Sequence, residues 1–216
     1  SRFGISASQQ GSAVIYDRLT GYNENIRPTH PEREEKLRFN WNAAMNRDPF
    51  HSKTLYFGSQ FVHKSIDGGQ TWKIISEDLT TNNSDYQKQG ESGGLTMDAT
   101  GAENYCTILV IEPSPIQKEL LWIGSDDGQV HVSLNGGDDW QNITTNIPMP
   151  TGAWINQIKA SKHNPAEALL VVNDYRRFND APMVYRTKDF GKSWEQIVDK
   201  NDVIGYALCI LQDPIE

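Results

Sequence analysis

Apolar residues along this chain occur in short runs of strand length, and turn-forming residues separate the runs. The runs at 55–57, 121–123 and 169–172 are each followed directly by Gly or Asn. Such residues favour turns and interrupt regular structure. No segment keeps the 3.6-residue apolar period of a long amphipathic helix. The pattern therefore predicts an all-β protein built from short strands.

Three segments align with one another as repeats, at residues 38–76, 105–144 and 153–198. Each contains four short strand patterns, with Pro or Asn after the first and Gly or Asp between the others. Four-stranded antiparallel sheets repeated radially form β-propellers of about 4–8 blades. The repeats therefore predict a β-propeller in which each unit is one blade.

The two ends of the chain carry partial units. Residues 2–27 look like strands two to four of a preceding blade, and residues 205–216 begin another, with its first strand expected at 205–212. About four blade units are thus expected in a single domain over residues 1–216. Two alternatives remain for the ends: they meet to complete one blade, or the chain is an arc of a larger ring.

The turn before the fourth strand has a recurring sequence, which we call the box turn. A carboxylate or amide oxygen there can accept hydrogen bonds from turn amides and from a hydroxyl, while Gly supplies a left-handed backbone. The Trp that follows can pack a large apolar area against the sheet. We therefore expect a structural role for these residues in the three copies: Ser65, Asp67, Gly69 and Trp72; Ser133, Asn135, Gly137 and Trp140; Thr187, Asp189, Gly191 and Trp194.

The box turn resembles the Asp-box, Ser/Thr-x-Asp-x-Gly-x-x-Trp, of the bacterial neuraminidase repeat (BNR) family, and residues 65–72 match it in full. Sialidases, xyloglucanase-type glycoside hydrolases, sortilin-like receptors and a plant photosystem assembly factor share this box. Over nearly its whole length the chain is most similar to large bacterial glycosyl hydrolases with such repeats, in phrases such as YDRLTG, RFNWN, GAENYC and GSDDG. Asn135 and Phe190 depart from the pattern. Because such propellers usually have about six blades or more, the resemblance favours an arc.

The amino-acid composition limits the classes of binding partner that can be expected. The 216 residues include 28 acidic and 20 basic side chains, for a net charge of −8. Nucleic acid and anionic membrane surfaces would require a basic stripe, so neither is expected as a partner. No apolar run has the roughly 18 residues needed to insert into a membrane. The chain begins at Ser1, so either a leader has been removed or this is a piece of a longer chain.

Topology predicts where a ligand would bind. The box turns join the third and fourth strands, so the opposite face collects the turns between strands two and three and the links between blades. The long segment 77–104 and the enlarged turn 173–180 both fall on that face, which we call the loop face. A long loop without structure of its own is usually functional or a linker. The loop face is therefore the predicted ligand-binding face.

Candidate residues on the loop face follow from the needs of glycoside chemistry. Hydrolysis usually requires two carboxyl groups that flank the bond, and sugars bind on aromatic rings. The Glu103–Tyr105 spacing is similar to a sialidase nucleophile pair, but the arginine triad of sialidases is absent. The predicted catalytic residues are Glu103, Asp98 and Asp126, and the predicted ligand-binding residues are Trp41, Tyr105, Trp154, Asp174 and Arg176.

No metal or other cofactor is expected. His63 and His131 stand at the same position of two repeats, where the other units have Tyr185 and Tyr16. Repeat-related residues are spread around a ring and do not converge on one ion. A shared packing position is therefore the favoured interpretation. Cys209 lies in an apolar run, which predicts a buried thiol.

Two functions follow from the resemblance. The first is a glycosyl hydrolase-type propeller that acts on or binds a polysaccharide in an extracellular or periplasmic location, with a second propeller domain as a possible partner that completes the site. The second is a non-catalytic propeller that binds a protein or a glycan, as in the sortilin-like and assembly-factor relatives. Fold analogy does not choose between them. Two carboxyl groups converging in a cleft would favour the first, and dispersed charges would favour the second.

Overall fold

The computed structural model describes residues 2–32, 34–88 and 104–213. Within them, fifteen strands form four antiparallel sheets, and each strand pairs with its neighbours in sequence. Sheet 1 contains β1 (Phe3–Ala7), β2 (Ala13–Asp17) and β3 (Asn23–Asn25). Sheet 2 contains β4 (Met45–Arg47), β5 (Leu55–Gly58), β6 (Val62–Ser65) and β7 (Lys73–Ile74). Sheet 3 contains β8 (Ile108–Pro113), β9 (Leu121–Ser125), β10 (Val130–Ser133) and β11 (Gln141–Asn142), and sheet 4 contains β12 (Trp154–Ala160), β13 (Ala168–Asp174), β14 (Asn179–Thr187) and β15 (Glu195–Val198).

The prediction of an all-β fold is confirmed. The helices in the described ranges are short 3-10 turns at Gln9–Gly11, Ser84–Gln87, Thr144–Asn146 and Tyr175–Arg177. None of the helices in this part of the chain is long and apolar enough to cross a membrane.

Consecutive sheets pack against each other through three apolar clusters. Phe39 and Phe57 centre the cluster between sheets 1 and 2, while Tyr56 and Ile123 belong to the cluster between sheets 2 and 3. The largest cluster surrounds Trp122 between sheets 3 and 4. Sheets 2 and 3, which each have a neighbour on both sides, therefore bury apolar side chains on both of their faces, as expected for stacked blades.

The box turns are closed by hydrogen bonds within a few residues. In the first copy the Ser65 hydroxyl donates to Asp67 Oδ1 (2.8 Å), and the Thr71 amide and hydroxyl donate to the Asp67 carboxylate (2.9 and 2.6 Å). These bonds hold the pKa of Asp67 well below its ordinary value, at about 2, chiefly through Thr71. The Trp72 indole N–H donates to the Ile26 carbonyl of the preceding unit (2.8 Å), so the turn also joins neighbouring sheets.

In the second box Asn135 stands in the place of the Asp. The hydrogen-bond donor and acceptor are exchanged between this position and the position four residues later. Where Thr71 donates to a carboxylate in the first box, the Asn135 amide donates to the carboxylate of Asp139 (2.8 Å). The other oxygen contact is kept, because Asn135 Oδ1 accepts from the Asp139 amide (2.9 Å). The departure from the Asp-box pattern is therefore compensated by a second change four residues later.

Asn135→Asp is expected to lower the free energy of unfolding by about 1–2 kcal/mol, because a hydrogen bond becomes a repulsive contact between two carboxylates. The double variant Asn135→Asp/Asp139→Thr recreates the first box and should recover most of the loss. Urea denaturation of both variants measures the effect. A double variant no more stable than the single one would contradict the compensation.

Phe190 is the other departure, and it adopts the left-handed backbone of the Gly it replaces. Its φ is +61°, against +85° at Gly68 and +75° at Gly136. A non-Gly residue in this region costs about 1 kcal/mol or more. The Phe190 ring packs against the cluster between sheets 3 and 4, and this contact offsets the strain.

His63 and His131 are buried in the cores between sheets. The His63 ring stacks on Phe39 (centroids 6.5 Å apart), and its Nε2 lies 2.8 Å from the Ser59 hydroxyl. Burial lowers the pKa of His63 to about 3 and that of His131 to about 4, so both rings are neutral at pH 7. No three His, Cys, Asp or Glu side chains in the described ranges are grouped as metal ligands.

Residues 205–213 form no regular strand, unlike the expected strand at 205–212. They lie beside β12, held by side-chain bonds from Asn156 to the Leu208 carbonyl (2.9 Å) and from the Ile210 amide to Gln157 (2.7 Å). These contacts are made by side chains, and the segment forms no backbone ladder with any described strand. Cys209 is exposed here, and the prediction of a buried thiol was wrong.

Candidate functional site

A groove lies on the loop face between sheets 3 and 4. Its walls come from the link between β7 and β8, the turns β9–β10 and β13–β14, and the link between β11 and β12. The cavity has a volume of about 280 Å³. We call it the groove and define it by the lining residues Tyr86, Tyr105, Asp127, Trp154, Asn173 and Arg176.

Aromatic rings and one guanidinium form a row along the groove. Tyr86 packs its edge against Tyr105 (centroids 5.3 Å apart), and Tyr105 lies 6.4 Å from Trp154. The Arg176 guanidinium carbon is 3.4 Å from the Trp154 ring centroid and 4.4 Å from that of Tyr175. Such contacts between a cation and an aromatic face stabilise by about 1–2 kcal/mol when they are partly desolvated.

Trp154 is therefore not a bare stacking surface. Arg176 covers one of its faces, so a ligand would meet the guanidinium and the ring edges rather than that indole face. The row continues beyond Arg176, because Tyr175 stacks on Tyr206 with centroids 4.7 Å apart. Tyr86 and Tyr206, at the two ends of the row, are each 41% exposed, so the ring surface open to a ligand lies mainly at the ends.

Asp127 holds the segment after β7 against sheet 3. Its Oδ2 accepts from both the amide and the hydroxyl of Thr81 (2.7 Å each), and its Oδ1 accepts from the Ser125 hydroxyl (2.5 Å). The side chain is almost fully buried. Asp127 is therefore a clamp that positions Tyr86, five residues after Thr81, in the groove.

Asp126 is buried behind the groove. Its carboxylate accepts from the Thr107 amide (2.8 Å), the Thr107 hydroxyl (2.5 Å) and the Asn40 amide (2.9 Å). Burial, with the charge of Asp127 next, raises the pKa of Asp126 to about 7. Asp126 has no exposed surface. The predicted catalytic role would require it to touch substrate, and in this structure it is enclosed by protein.

Asp174 is committed to an ion pair. Arg177 Nε donates to Asp174 Oδ1 (2.5 Å), and the same guanidinium donates to the Thr151 carbonyl (2.9 Å). The pair joins the turn β13–β14 to the link before β12 and so fixes the end of the groove beside Arg176. Asp174 therefore shapes the site through Arg177.

Asn173 brings an unpartnered amide into the groove. The residue is fully buried, and neither its Oδ1 nor its Nδ2 has a hydrogen-bond partner in the described part of the chain. A buried amide without a partner costs about 1–3 kcal/mol. A hydrogen bond from a ligand or an ordered water that enters this wall of the groove would satisfy the amide.

The predicted site residues separate into four groups. Tyr105, Trp154, Asp174 and Arg176 line the groove together, and Asp126 lies behind it. Trp41 is 44% exposed and is not among the groove-lining residues. Asp98 and Glu103 lie outside the described residues. Burial raises the pKa of Tyr105 far above its ordinary value, which disfavours the deprotonation a nucleophile would need.

Sequence reasoning did not assign roles to Asn173, Tyr86 or Tyr175. A signal for Asn173 was present, because this polar residue ends the apolar run of β13. The two tyrosines carried no local signal. Their place in the row depends on contacts with Tyr105 and Tyr206, which are distant in sequence.

Comparison with known proteins gives a fold and no family. The sequence matches no protein-family model and no curated protein. The chain is similar to the solved structure of YCF48 from Cyanidioschyzon merolae, with a TM-score of 0.50 and 12% identity over 91% of this chain and 53% of that one. Taken with the four stacked antiparallel sheets, this likeness settles the architecture. The fold is a partial β-propeller of about four blades.

Two glycoside hydrolase structures show weaker likenesses. An ancestral GH74 enzyme has a TM-score of 0.45 and 16% identity over 95% of this chain and 30% of that one. The GH74 xyloglucanase from Xanthomonas campestris has a TM-score of 0.38 and 14% identity over 87% of this chain and 32% of that one. The chain thus spans about half of the YCF48 structure and about a third of the GH74 structures, and neither GH74 likeness bears on its activity.

Proposed function

We propose that this propeller binds a polysaccharide in the groove, as a segment of an extracellular or periplasmic protein of the BNR repeat type. The observation that carries the proposal is the unpartnered amide of Asn173 in a groove walled by an aromatic row. Sugar rings present apolar faces and hydroxyl groups, and these match aromatic side chains and amides respectively. Such combinations of apolar walls with a few polar groups are typical of ligand sites.

The carboxylates of the described groove favour binding over hydrolysis. Asp127 accepts three hydrogen bonds, and Asp174 is paired with Arg177. Asp126 does not line the groove, and its carboxylate accepts three hydrogen bonds from Thr107 and Asn40. A glycosidase needs one carboxyl group to protonate the leaving oxygen and another to attack or activate water. In this groove those groups already hold the protein together, so hydrolysis would have to rest on Asp98 or Glu103.

Asn173→Ala is expected to weaken polysaccharide binding by about tenfold, which corresponds to about 1.4 kcal/mol, because one or two hydrogen bonds to the ligand are lost. The free energy of unfolding should stay the same or rise, since an unpartnered buried amide is removed. Depletion of polysaccharides by the immobilised protein measures binding, and new reducing ends report hydrolysis.

Asn201→Ala serves as the matched control, because Asn201 is exposed and bonds locally to Asp199. Unchanged binding in Asn173→Ala would contradict the role of the groove. New reducing ends that disappear in Glu103→Gln would replace the binding proposal with hydrolysis.

A second candidate function, protein binding, is favoured by apolar side chains beside the groove. Phe178 is 97% exposed in the turn next to Arg177, and Ile204 is fully exposed near Tyr206. Exposed large apolar residues that cluster often mark protein interfaces. Loss of a protein partner in Phe178→Ser with glycan binding unaffected would assign these residues to a separate interface.

A further inference from the structure

Two other cavities on the loop face follow the groove in a series, in which neighbouring cavities share lining residues. A cavity of about 360 Å³ shares Tyr105 with the groove, and a cavity of about 720 Å³ shares Glu35, Lys36 and Asn104 with the second one. The three form a trench that runs from the link between β3 and β4 to the turn β13–β14. Together they exceed the roughly 300–1,000 Å³ of a small-molecule site. A trench of this length fits an extended chain.

Cations without ion-pair partners occur along the trench. Arg27 lies in the first cavity, Lys36 at the junction with the second, and Arg176 in the groove. None of the three forms a salt bridge within the described ranges. Within the described residues, Asp174 is paired with Arg177, Asp127 is hydrogen-bonded to Thr81 and Ser125, and Glu35 is the remaining acid that lines the trench. Asp127 keeps its negative charge, because Thr81 and Ser125 are neutral donors. Among the described lining residues, the three cations without ion pairs therefore stand against Glu35 and Asp127, in a chain whose net charge is −8.

Arg176 is held in a geometry suited to a carboxylate. Its guanidinium lies against the rings of both Trp154 and Tyr175, so rotation of the guanidinium is restricted. The N–H donors of a guanidinium lie in its plane and point away from stacked rings, which leaves them able to bind a planar anion in a bidentate manner. Burial lowers the pKa of Arg176, as expected for a half-buried cation, while the nearby charge of Asp126 acts in the opposite direction.

We propose that the trench binds an acidic polysaccharide several sugar units long, with Arg176 pairing to a sugar carboxylate. The inference rests on the proposed function and adds the charge and length of the ligand. Arg27 and Lys36 would contact units farther along the same chain. Arg176 thus determines the preference for acidic over neutral glycans. Arg27 and Lys36 determine how much the affinity rises with the length of the glycan.

The test uses titration calorimetry of the 216-residue chain. The probes are disaccharides and octasaccharides of galacturonate, alginate and hyaluronan, each with its carboxyl-reduced counterpart. The octasaccharide of at least one acidic series should bind about tenfold more tightly than its disaccharide and than its reduced form, since each tenfold corresponds to about 1.4 kcal/mol. Arg176→Met should bring the ratio of the affinities for the acidic and the reduced form close to one, whatever its effect on the affinity for the reduced form.

Two further variants separate length from charge. Arg27→Met/Lys36→Met should weaken binding of the octasaccharide and leave binding of the disaccharide unchanged, since only the longer ligand reaches the cavity of about 720 Å³. Arg47→Met is the control, because it removes one positive charge from β4 outside the trench. A matching loss in Arg47→Met would show that net charge alone is responsible and would overturn the assignment.

The outcomes distinguish this inference from the proposed function. Equal binding of acidic and reduced glycans, weakened by Asn173→Ala, would overturn the acidic preference and leave polysaccharide binding intact. Equal affinities for disaccharide and octasaccharide would contradict the proposal that the trench binds an extended glycan. Binding of no glycan, or of an acidic peptide alone, would overturn both proposals.

Discussion

Asp127→Ala is expected to lower the free energy of unfolding by about 2–3 kcal/mol, because the buried Ser125 hydroxyl loses its acceptor and the segment at Thr81 loses two hydrogen bonds to sheet 3. The three hydrogen bonds to this carboxylate are 2.5–2.7 Å long. The same change should reduce ligand binding at least about tenfold, since Tyr86 is positioned through Thr81. Urea denaturation and glycan titration of the variant measure the two effects.

The control for Asp127 lies in the same segment. Asp85 is exposed and pairs with Lys88, so Asp85→Ala should change stability by no more than about 0.5 kcal/mol. The free energy of unfolding of Asp127→Asn should lie between those of wild type and Asp127→Ala, because an amide keeps one acceptor oxygen. If Asp127→Ala loses stability but retains full binding, the clamp holds the fold together without organising the groove.

Asp126→Asn is expected to change how stability depends on pH. The folded pKa of Asp126 is about 7, against an ordinary value of 3.8. Between about pH 4 and pH 7 the folded wild type therefore holds a proton that the unfolded chain has released. Over that range this group lowers the free energy of unfolding as pH rises, by up to about 1.4 kcal/mol per unit. The asparagine variant lacks this loss, so its stability relative to wild type should rise from pH 4 to pH 7 and then level off.

The comparison must be made between variant and wild type at each pH, because two buried histidines act in the opposite direction. The pKa values of His63 and His131 are lowered to about 3 and about 4. Each contributes stability that grows as pH rises from its folded pKa to about 6.5. These contributions are common to both proteins and cancel in the difference. Parallel stability curves would mean that the hydrogen bonds from Thr107 and Asn40 keep Asp126 ionised at pH 4.

The box turns show what could be derived from sequence. Their bonds join residues two to four positions apart, as from Ser65 and Thr71 to Asp67. Local chemistry of this kind can be recognised from residue types and spacing. The bond between Asn135 and Asp139 also joins residues four positions apart. The structure was needed to identify Asp139 as the partner of Asn135.

The loop face was also accessible from the sequence, because alternating connections of a four-stranded sheet place the long segments on one side. Tyr105, Trp154, Asp174 and Arg176 were predicted there, and the structure brings them to one groove. Their roles were not accessible. The cover of Arg176 over Trp154 and the pairing of Asp174 with Arg177 depend on side-chain packing that periodicity does not describe.

Strand patterns, repeats and box turns thus follow from the sequence, since each depends on residues that are close neighbours in the chain. The chemistry of the groove depends on the tertiary structure. Asp127 bonds to Thr81 across 46 positions, and Asp126 bonds to Asn40 across 86. Whether a carboxylate is free to act or already bonded is decided by how the sheets stack, because stacking brings together donors and acceptors that belong to different repeats.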